Sequence, residues 1–283
     1  MKKLLLILAI PIVVILVAIL ALTIFVNPNQ FKPIIVEQAQ KQTGLELVIE
    51  GDISWQFFPS IGFELGHTEL RNPQGFSKPN LFKVDTVGVD ISVMPLFSQQ
   101  LEIGNVTLDG AEFYIETNKD GSKNIDALTK AQTQQAEQAS DTAPTQNGET
   151  QPSGSDWSIN LAGVTVSNGS LEMQDKQAGS YTKLYDISLN LSEFAFDNWT
   201  TADFGVKGEM NDQKFTAKGQ ADFKLEKGLA NYALKNINFD ATYSDPANKI
   251  ESATIGLDTF EFDKVNNLTY ALKGDAGGMK LDM

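Results

Sequence analysis

Phe215, Ala217, Gly219, Ala221, Phe223 and Leu225 alternate without a break with Thr216, Lys218, Gln220, Asp222 and Lys224. A period of two sends successive side chains to opposite faces of a strand, whereas an apolar helical stripe needs spacings of three and four. The same alternation runs through Ile53, Trp55 and Phe57, through Ile61, Phe63 and Leu65, and through Val87, Val89, Ile91 and Val93. It returns in Ile187, Leu189 and Leu191, in Ile237, Phe239, Ala241 and Tyr243, and in Leu268, Tyr270 and Leu272. Strands of this kind have one apolar and one wetted face, the mark of antiparallel pairing. Asp109-Gly110, Asp120-Gly121, Asn168-Gly169 and Lys227-Gly228 read as hairpin turns between them. The spacing predicts about 12 to 15 strands.

Helix signals are few. Phe31 to Thr43 reads as a short amphipathic helix with Phe31, Ile34, Ile35 and Ala39 on one face, Pro33 in the first turn and Gly44 as its stop. Ahead of it, Leu4 to Val26 is a run of 23 residues interrupted only by Pro11 and Thr23. At about 1.5 Å per residue it covers the roughly 30 Å hydrocarbon core of a bilayer. It is longer than the apolar region of a cleaved signal peptide, and Asn27-Pro28 is a poor cleavage site. Lys2 and Lys3 precede it, which predicts a cytoplasmic N-terminus and an exported body. Thr129 to Asp156 has no large apolar residue and is rich in Gln, Thr, Ser, Ala and Pro, so it reads as a flexible linker. The chain thus divides into an anchor (1–26), a β region with its helix (27–128), the linker (129–156) and a second β region (157–283). A faint repeat brackets the linker: IGNVTLDGAEFYI (Ile103 to Ile115) and LAGVTVSNGSLEM (Leu161 to Met173), read as a repeated hairpin unit.

Several function classes are set aside by composition. A net charge of −14 with no basic run beyond Lys2-Lys3 disfavours nucleic acid. No cysteine is present, which excludes disulfides, thiolate metal sites and cysteine nucleophiles. The lone histidine, His67, has no G-x-S-x-G companion and reads as a strand residue. Asn118 to Asp126 resembles part of a calcium loop but lacks the bidentate Glu, so a turn with an Asx bond is expected. Glu261 and Asp263 share a strand face, a chance pairing in so acidic a chain. No catalytic residue and no cofactor motif is identified, and the reading is of a protein that is not an enzyme.

What must be explained is the apolar face. One short helix cannot cover a dozen one-sided strands, and each buried Leu or Phe is worth roughly 1.5–3 kcal/mol. The strands can form a sandwich, close into a barrel, or build a long curved sheet whose apolar side accepts something other than protein. The pattern leaves all three open.

The first 128 residues resemble the AsmA family of Gram-negative envelope proteins. The matching pieces are Asn27-Pro28, Lys32-Pro33, Thr43-Gly44, Gly51-Asp52-Ile53, Trp55, Phe58-Pro59, Gly62 and Asn72-Pro73 with Gly75-Phe76. Pro95-Leu96, Leu101-Glu102-Ile103, Leu108-Asp109-Gly110 and Asn118, Asp120-Gly121 and Asn124 continue the pattern. The resemblance implies an inner-membrane anchor, a periplasmic body and a role in outer-membrane assembly or phospholipid delivery. It also implies an apolar groove of stacked strands, with Trp55, Phe57, Phe63, Val89, Ile91 and Leu189 as candidate lining residues; from its place just ahead of the first strands, the helix is expected to cap the end near Trp55 and Phe57. Family members are generally much longer, so this chain reads as a fragment, a short paralogue or one part of an assembly. Its strands would stack over roughly 55–70 Å. The rival expectation is an assembly factor that binds outer-membrane protein chains through a free sheet edge around Leu268 to Leu272.

Overall fold

The computed structural model describes residues 27–57, 61–92, 102–126, 128, 161–195, 197–225, 232–260 and 265–283. The apolar run 4–26, the whole linker 129–156, Lys227-Gly228 and the pair Glu261 and Asp263 lie outside them. Among the described residues no helix is long and apolar enough to cross a membrane.

The chain enters through a 3-10 turn, Pro28–Phe31, and helix α1, Lys32–Thr43. Pro33 stands in the first helical turn, and Gly44 ends the helix with a left-handed φ of 69°, its N–H donating to Gln40 O at 2.8 Å. The expected apolar stripe is split. Ile35 and Ala39, joined by Val36, are half-buried on the side that meets the first strand, while Phe31 and Ile34 are exposed.

Among the described residues sixteen strands follow, and all belong to one long, curved, open sheet. They are β1 (Leu47–Ile49), β2 (Ile53–Gln56), β3 (Ile61–Leu65), β4 (Thr68–Arg71), β5 (Asn80–Val84), β6 (Thr86–Ser92), β7 (Glu102–Asp109) and β8 (Glu112–Thr117), then β9 (Leu161–Asp175), β10 (Ser180–Leu191), β11 (Thr200–Met210), β12 (Gln213–Leu225), β13 (Tyr232–Ser244), β14 (Asn248–Phe260), β15 (Leu268–Ala276) and β16 (Met279–Asp282). The closed sandwich is not formed, since no second sheet faces this one among the described residues. Nor is there a barrel, because β1 and β16 do not pair.

The first eight strands are four long strands, each broken by a bend. β1 pairs with β4 and β2 with β3; β4 pairs with β5 and β3 with β6; β5 pairs with β8 and β6 with β7. The sheet is therefore a meander of 12 strand positions, about 50–55 Å along the stacking direction. Its one parallel junction sets β9 against β7 and β8 together.

That junction corrects the reading of two turns. Asp109-Gly110 and Asn168-Gly169 are bends within continuing strands, not hairpins. Gly110 and Asn168 take left-handed φ values of 67° and 53°. An Asp-Gly or Asn-Gly pair supplies such a residue equally well to a tight turn and to a β-bulge, and here it makes the bulge. The two copies of the repeat lie side by side in parallel, every partner offset by the same 58 positions. Their bends are laced together: Asp109 accepts from Ser167 Oγ at 2.5 Å and Asn168 Nδ2 at 2.7 Å, and Gly110 N donates to Ser167 O at 3.0 Å. Asp120-Gly121 does make a turn, with Ser122 N donating to Asp120 Oδ1 at 3.0 Å in an Asx bond.

Fully buried apolar residues are few: Leu45, Ile53, Leu81, Val84, Ala111 and Tyr114. All belong to the first part of the sheet, near α1 and the loops 72–79 and 118–126. Beyond β9 no described apolar side chain is fully buried, which is what a single layer without a covering layer produces.

Candidate functional site

Register partners share a sheet face, so the ladder fixes where each side chain lies. Ile53, Leu65, Val87, Leu108, Val166, Leu189, Phe204, Gly219, Phe239, Ile255 and Tyr270 are partners one after the next, from β2 to β15. None is polar apart from the hydroxyl of Tyr270. A second row runs Trp55, Phe63, Val89, Val106, Val164, Leu191, Ala202 and Ala221. A third runs Leu47, Leu70, Phe82, Phe113, Leu171, Leu184, Gly208, Phe215, Tyr243, Ile250, Gly274 and Leu281. All three occupy the same face.

The bulges make this possible. On β11, Phe204 and Gly208 are four residues apart, as one face requires. Their partners on β10, Leu189 and Leu184, are five apart, and the same step of five separates Val166 from Leu171, Leu108 from Phe113, Val87 from Phe82 and Leu65 from Leu70. One extra residue per strand absorbs the odd step, keeping the second half of each strand on the apolar side. Asp186, in the β10 bend, has a left-handed φ of 49°.

In the third row Gly208 is roofed by the Phe215 ring of the next strand, and in the first row Gly219 is approached closely by the backbone of Asn238 and by Phe239. A Cβ on Gly208 would lie 2.1 Å from Phe215 Cζ, and one on Gly219 would lie 2.5 Å from Phe239 Cβ. The aromatic residues thus continue the apolar surface where glycine leaves a gap. Trp55 stacks with Phe57 (5.9 Å between centroids) and meets Phe63 at 4.3 Å; Phe82 meets Phe113 at 4.5 Å. Nearly all of these residues keep part of their surface accessible: Phe113 is 45% and Tyr270 62% exposed.

Of the residues expected from sequence, Trp55, Phe63, Val89 and Leu189 fall in these rows, and Phe57 follows Trp55 past the end of β2. Ile91 is register partner to Ile61, and its side chain lies outside what the structure describes. The helix packs chiefly against β1. The 3-10 turn before it meets β2 at Ile53, where Asn29 Oδ1 accepts from Ile53 N (3.0 Å) and Asn29 Nδ2 donates to Ile53 O (3.1 Å). One amide side chain thereby makes both bonds that a neighbouring strand would make, and it closes that part of the edge.

The opposite face is polar. Thr107, Thr165, Asn190, Asp203, Gln220 and Asn238 form one of its rows. Several of its charges are paired: Lys83 with Glu112 at 3.1 Å, Lys207 with Asp186 at 2.8 Å, Lys78 with Glu172. His67 sits in the bend between β3 and β4, Nε2 3.1 Å from Glu69 and Nδ1 3.3 Å from Asp85. The bond to Glu69 raises its pKa above the ordinary imidazole value, with desolvation opposing. His67 and Glu69 line a recess of about 320 Å³ with Lys78, Phe82 and Tyr114, but each cation there already has a carboxylate.

A polar cluster missed from sequence holds the loops onto this face. Glu116, fully buried, accepts from Ser77 N (2.8 Å) and Ser77 Oγ (3.0 Å) and pairs with Lys176. Burial works to raise its pKa, but Lys176, the Ser77 amide and the Tyr114 and Ser77 hydroxyls together hold it below the usual carboxylate range. Burial and Glu116 push the Tyr114 hydroxyl up to about 12. Asn124, also fully buried, accepts from Glu116 N and donates to Tyr114 O and Asn72 Oδ1. No cluster of three or more His, Asp or Glu able to hold a metal occurs among the described residues.

The model of the AsmA family matches residues 1–283. Protein AsmA of Escherichia coli (strain K12) is 28% identical over 252 residues, covering 87% of this chain and 37% of that protein. The chain thus spans well under half the length of this curated relative. With a family match over its whole length, the chain belongs to the AsmA family.

Proposed function

We propose that this chain is an envelope protein, tied to the inner membrane by residues 4–26 with its N-terminus cytoplasmic and its body periplasmic. In that position it supports outer-membrane biogenesis by holding or conducting phospholipid acyl chains along the apolar face of the sheet. The observation that carries the reading is the unbroken file of apolar register partners from Ile53 to Tyr270, which past the 3-10 turn at Ile53 no second sheet covers among the described residues. Acyl chains laid there replace water at no polar cost, and headgroups stay solvated at the open side. Family membership supports the envelope setting. The reading assigns no catalytic step, no cofactor and no nucleic-acid partner.

The test is photo-crosslinking in cells with the full chain. Photoreactive residues at Phe215, Phe223 and Ile237 are expected to capture phospholipid, and those at Lys218 and Lys224, on the other face, are not. Equal capture from both faces, or none from either, sinks the proposal.

One observation favours a second reading, that of an assembly factor. β16 pairs with Lys273–Ala276 of β15 only, with Met283 bonded to Leu272, so Leu268 to Ala271 have no outer strand partner among the described residues. Leu268 and Tyr270 there are exposed. Such an edge accepts an added strand. Proline placed within Leu268–Leu272 would then abolish capture of outer-membrane protein segments while leaving bound lipid unchanged.

A further inference from the structure

We infer that the entry to α1, from the end of the 3-10 turn into the first helical turn, is a membrane-surface contact, with Phe31 and Ile34 seated in the headgroup layer of the bilayer that holds residues 4–26. The inference rests on the anchor proposed above and adds to it a rigid joint. Phe31 is 41% and Ile34 62% exposed, although both are large and apolar and the opposite side of the helix is already spent on β1. Two exposed apolar residues alone mean little. Chain reach gives them an occupant. The apolar run ends at Val26, five residues before Phe31. Pro28–Phe31 is a 3-10 turn, rising about 2.0 Å per residue. With at most about 3.5 Å for each of the two steps before it, Phe31 lies within about 13 Å of the end of the run. A headgroup layer is about 5–8 Å thick on each side. So short a tether keeps the phenyl ring within reach of that layer, and the exposed side of the turn, unspent on β1, is the side free to enter it.

The tether is also stiff. Asn27 caps the 3-10 turn by accepting from Asn29 N at 3.0 Å, Pro28 is buried, and Asn29 is bonded to both backbone groups of Ile53. Lys32, facing the sheet, pairs with Asp52 at 3.3 Å. The helix is thus fixed to the first strands, and its docking would hold the start of the apolar face at a set orientation to the bilayer.

The chain has no cysteine, so single labels can be placed cleanly. Full chain carrying Leu20→Cys, Ile34→Cys or Gln40→Cys, each with an environment-sensitive fluorophore, is reconstituted in phosphatidylethanolamine–phosphatidylglycerol vesicles. Quenchers are attached to the lipid headgroup or deep in the acyl chain. The expected result is deep quenching at 20, shallow quenching with a blue shift at 34, and water-like, unquenched emission at 40. Deep quenching at 20 with water-like emission at 34 overturns the inference and leaves the anchor standing. Shielding at 34 without lipid quenching, with disulfide formation between copies, assigns that face to a second copy and also overturns it. Equal quenching at 34 and 40 overturns it as a face-specific contact, and an unquenched label at 20 removes the anchor and the inference together.

Discussion

Replacing Leu189 by Asp separates an open apolar face from a covered core by magnitude alone. Leu189 lies in mid-sheet, between Val166 and Phe204, and retains partial exposure. Fully burying a leucine is worth roughly 1.5–3 kcal/mol, so an incompletely buried one contributes about 1–2 kcal/mol. Strand preference adds at most about 1 kcal/mol. If the face is open, the new carboxylate keeps water contact and the total cost is about 2 kcal/mol. Were a second protein layer packed over it, an uncompensated buried charge would cost about 5 kcal/mol or more, enough to unfold a domain of ordinary stability. The assay is urea unfolding of the full chain in lipid nanodiscs, where no free detergent fills the face. Tryptophan fluorescence reports the whole chain, and hydrogen exchange of β9–β12 reports the local sheet, because a one-layer sheet unfolds by neighbours. Asn190→Asp, on the polar face, is the control and is expected to cost under about 0.5 kcal/mol. A loss near 5 kcal/mol for Leu189→Asp with a silent control would refute the open face.

Gly110→Ala is expected to destabilise by about 1–2 kcal/mol, since its φ of 67° disfavours a side chain. Part of that is relieved by Asp85→Ala, whose carboxylate lies 2.3 Å from where the new Cβ would stand; urea midpoints of the double-mutant cycle give the coupling. Glu116→Gln is expected to cost about 2–4 kcal/mol by the same assay, because it removes a buried charge from Lys176 and the Ser77 donors. The pKa of Glu116 is lowered in the folded chain. Its stabilisation is therefore complete above the ordinary carboxylate value and lost as pH falls through the folded one, so an acid titration of stability should be flatter in the variant. Gly208→Val should drive a side chain into the Phe215 ring at a cost of about 1–3 kcal/mol and loosen hydrogen exchange in β11 and β12.

The one-faced alternation from Phe215 to Leu225 was legible because β12 is nearly regular and its polar partners are well spaced. The same is true of Gly44 and Pro33, whose backbone roles are local. Asp109-Gly110 and Asn168-Gly169 misled because a left-handed residue marks a bend without saying whether the chain reverses. The distinguishing signal was present: apolar alternation resumes at an odd step of five, Leu108 to Phe113 and Val166 to Leu171, in both copies of the repeat. Sequence also could not show that these copies would lie in parallel, since pairing partners 58 residues apart are chosen by the whole sheet. The Glu116, Ser77, Lys176 and Asn124 cluster left no mark, because each is an ordinary polar residue until three distant loops converge. In α1, Val36 displaced Phe31 and Ile34 from the packed side because the tie between Asn29 and Ile53 sets the rotation of the helix.

The parallel junction has a mechanical consequence. Between Thr117 and Leu161 the chain is joined covalently only through a long connection, while β9 is zipped to β7 and β8 along its whole length and clasped by Asp109–Ser167, Tyr114–Gln174 and Glu116–Lys176. Force applied along the strands loads that seam in shear, every ladder bond at once, whereas force along the stacking direction peels it bond by bond. A molecule cut at an engineered protease site within 129–156 should therefore run as one particle in gel filtration and as two chains only after denaturation.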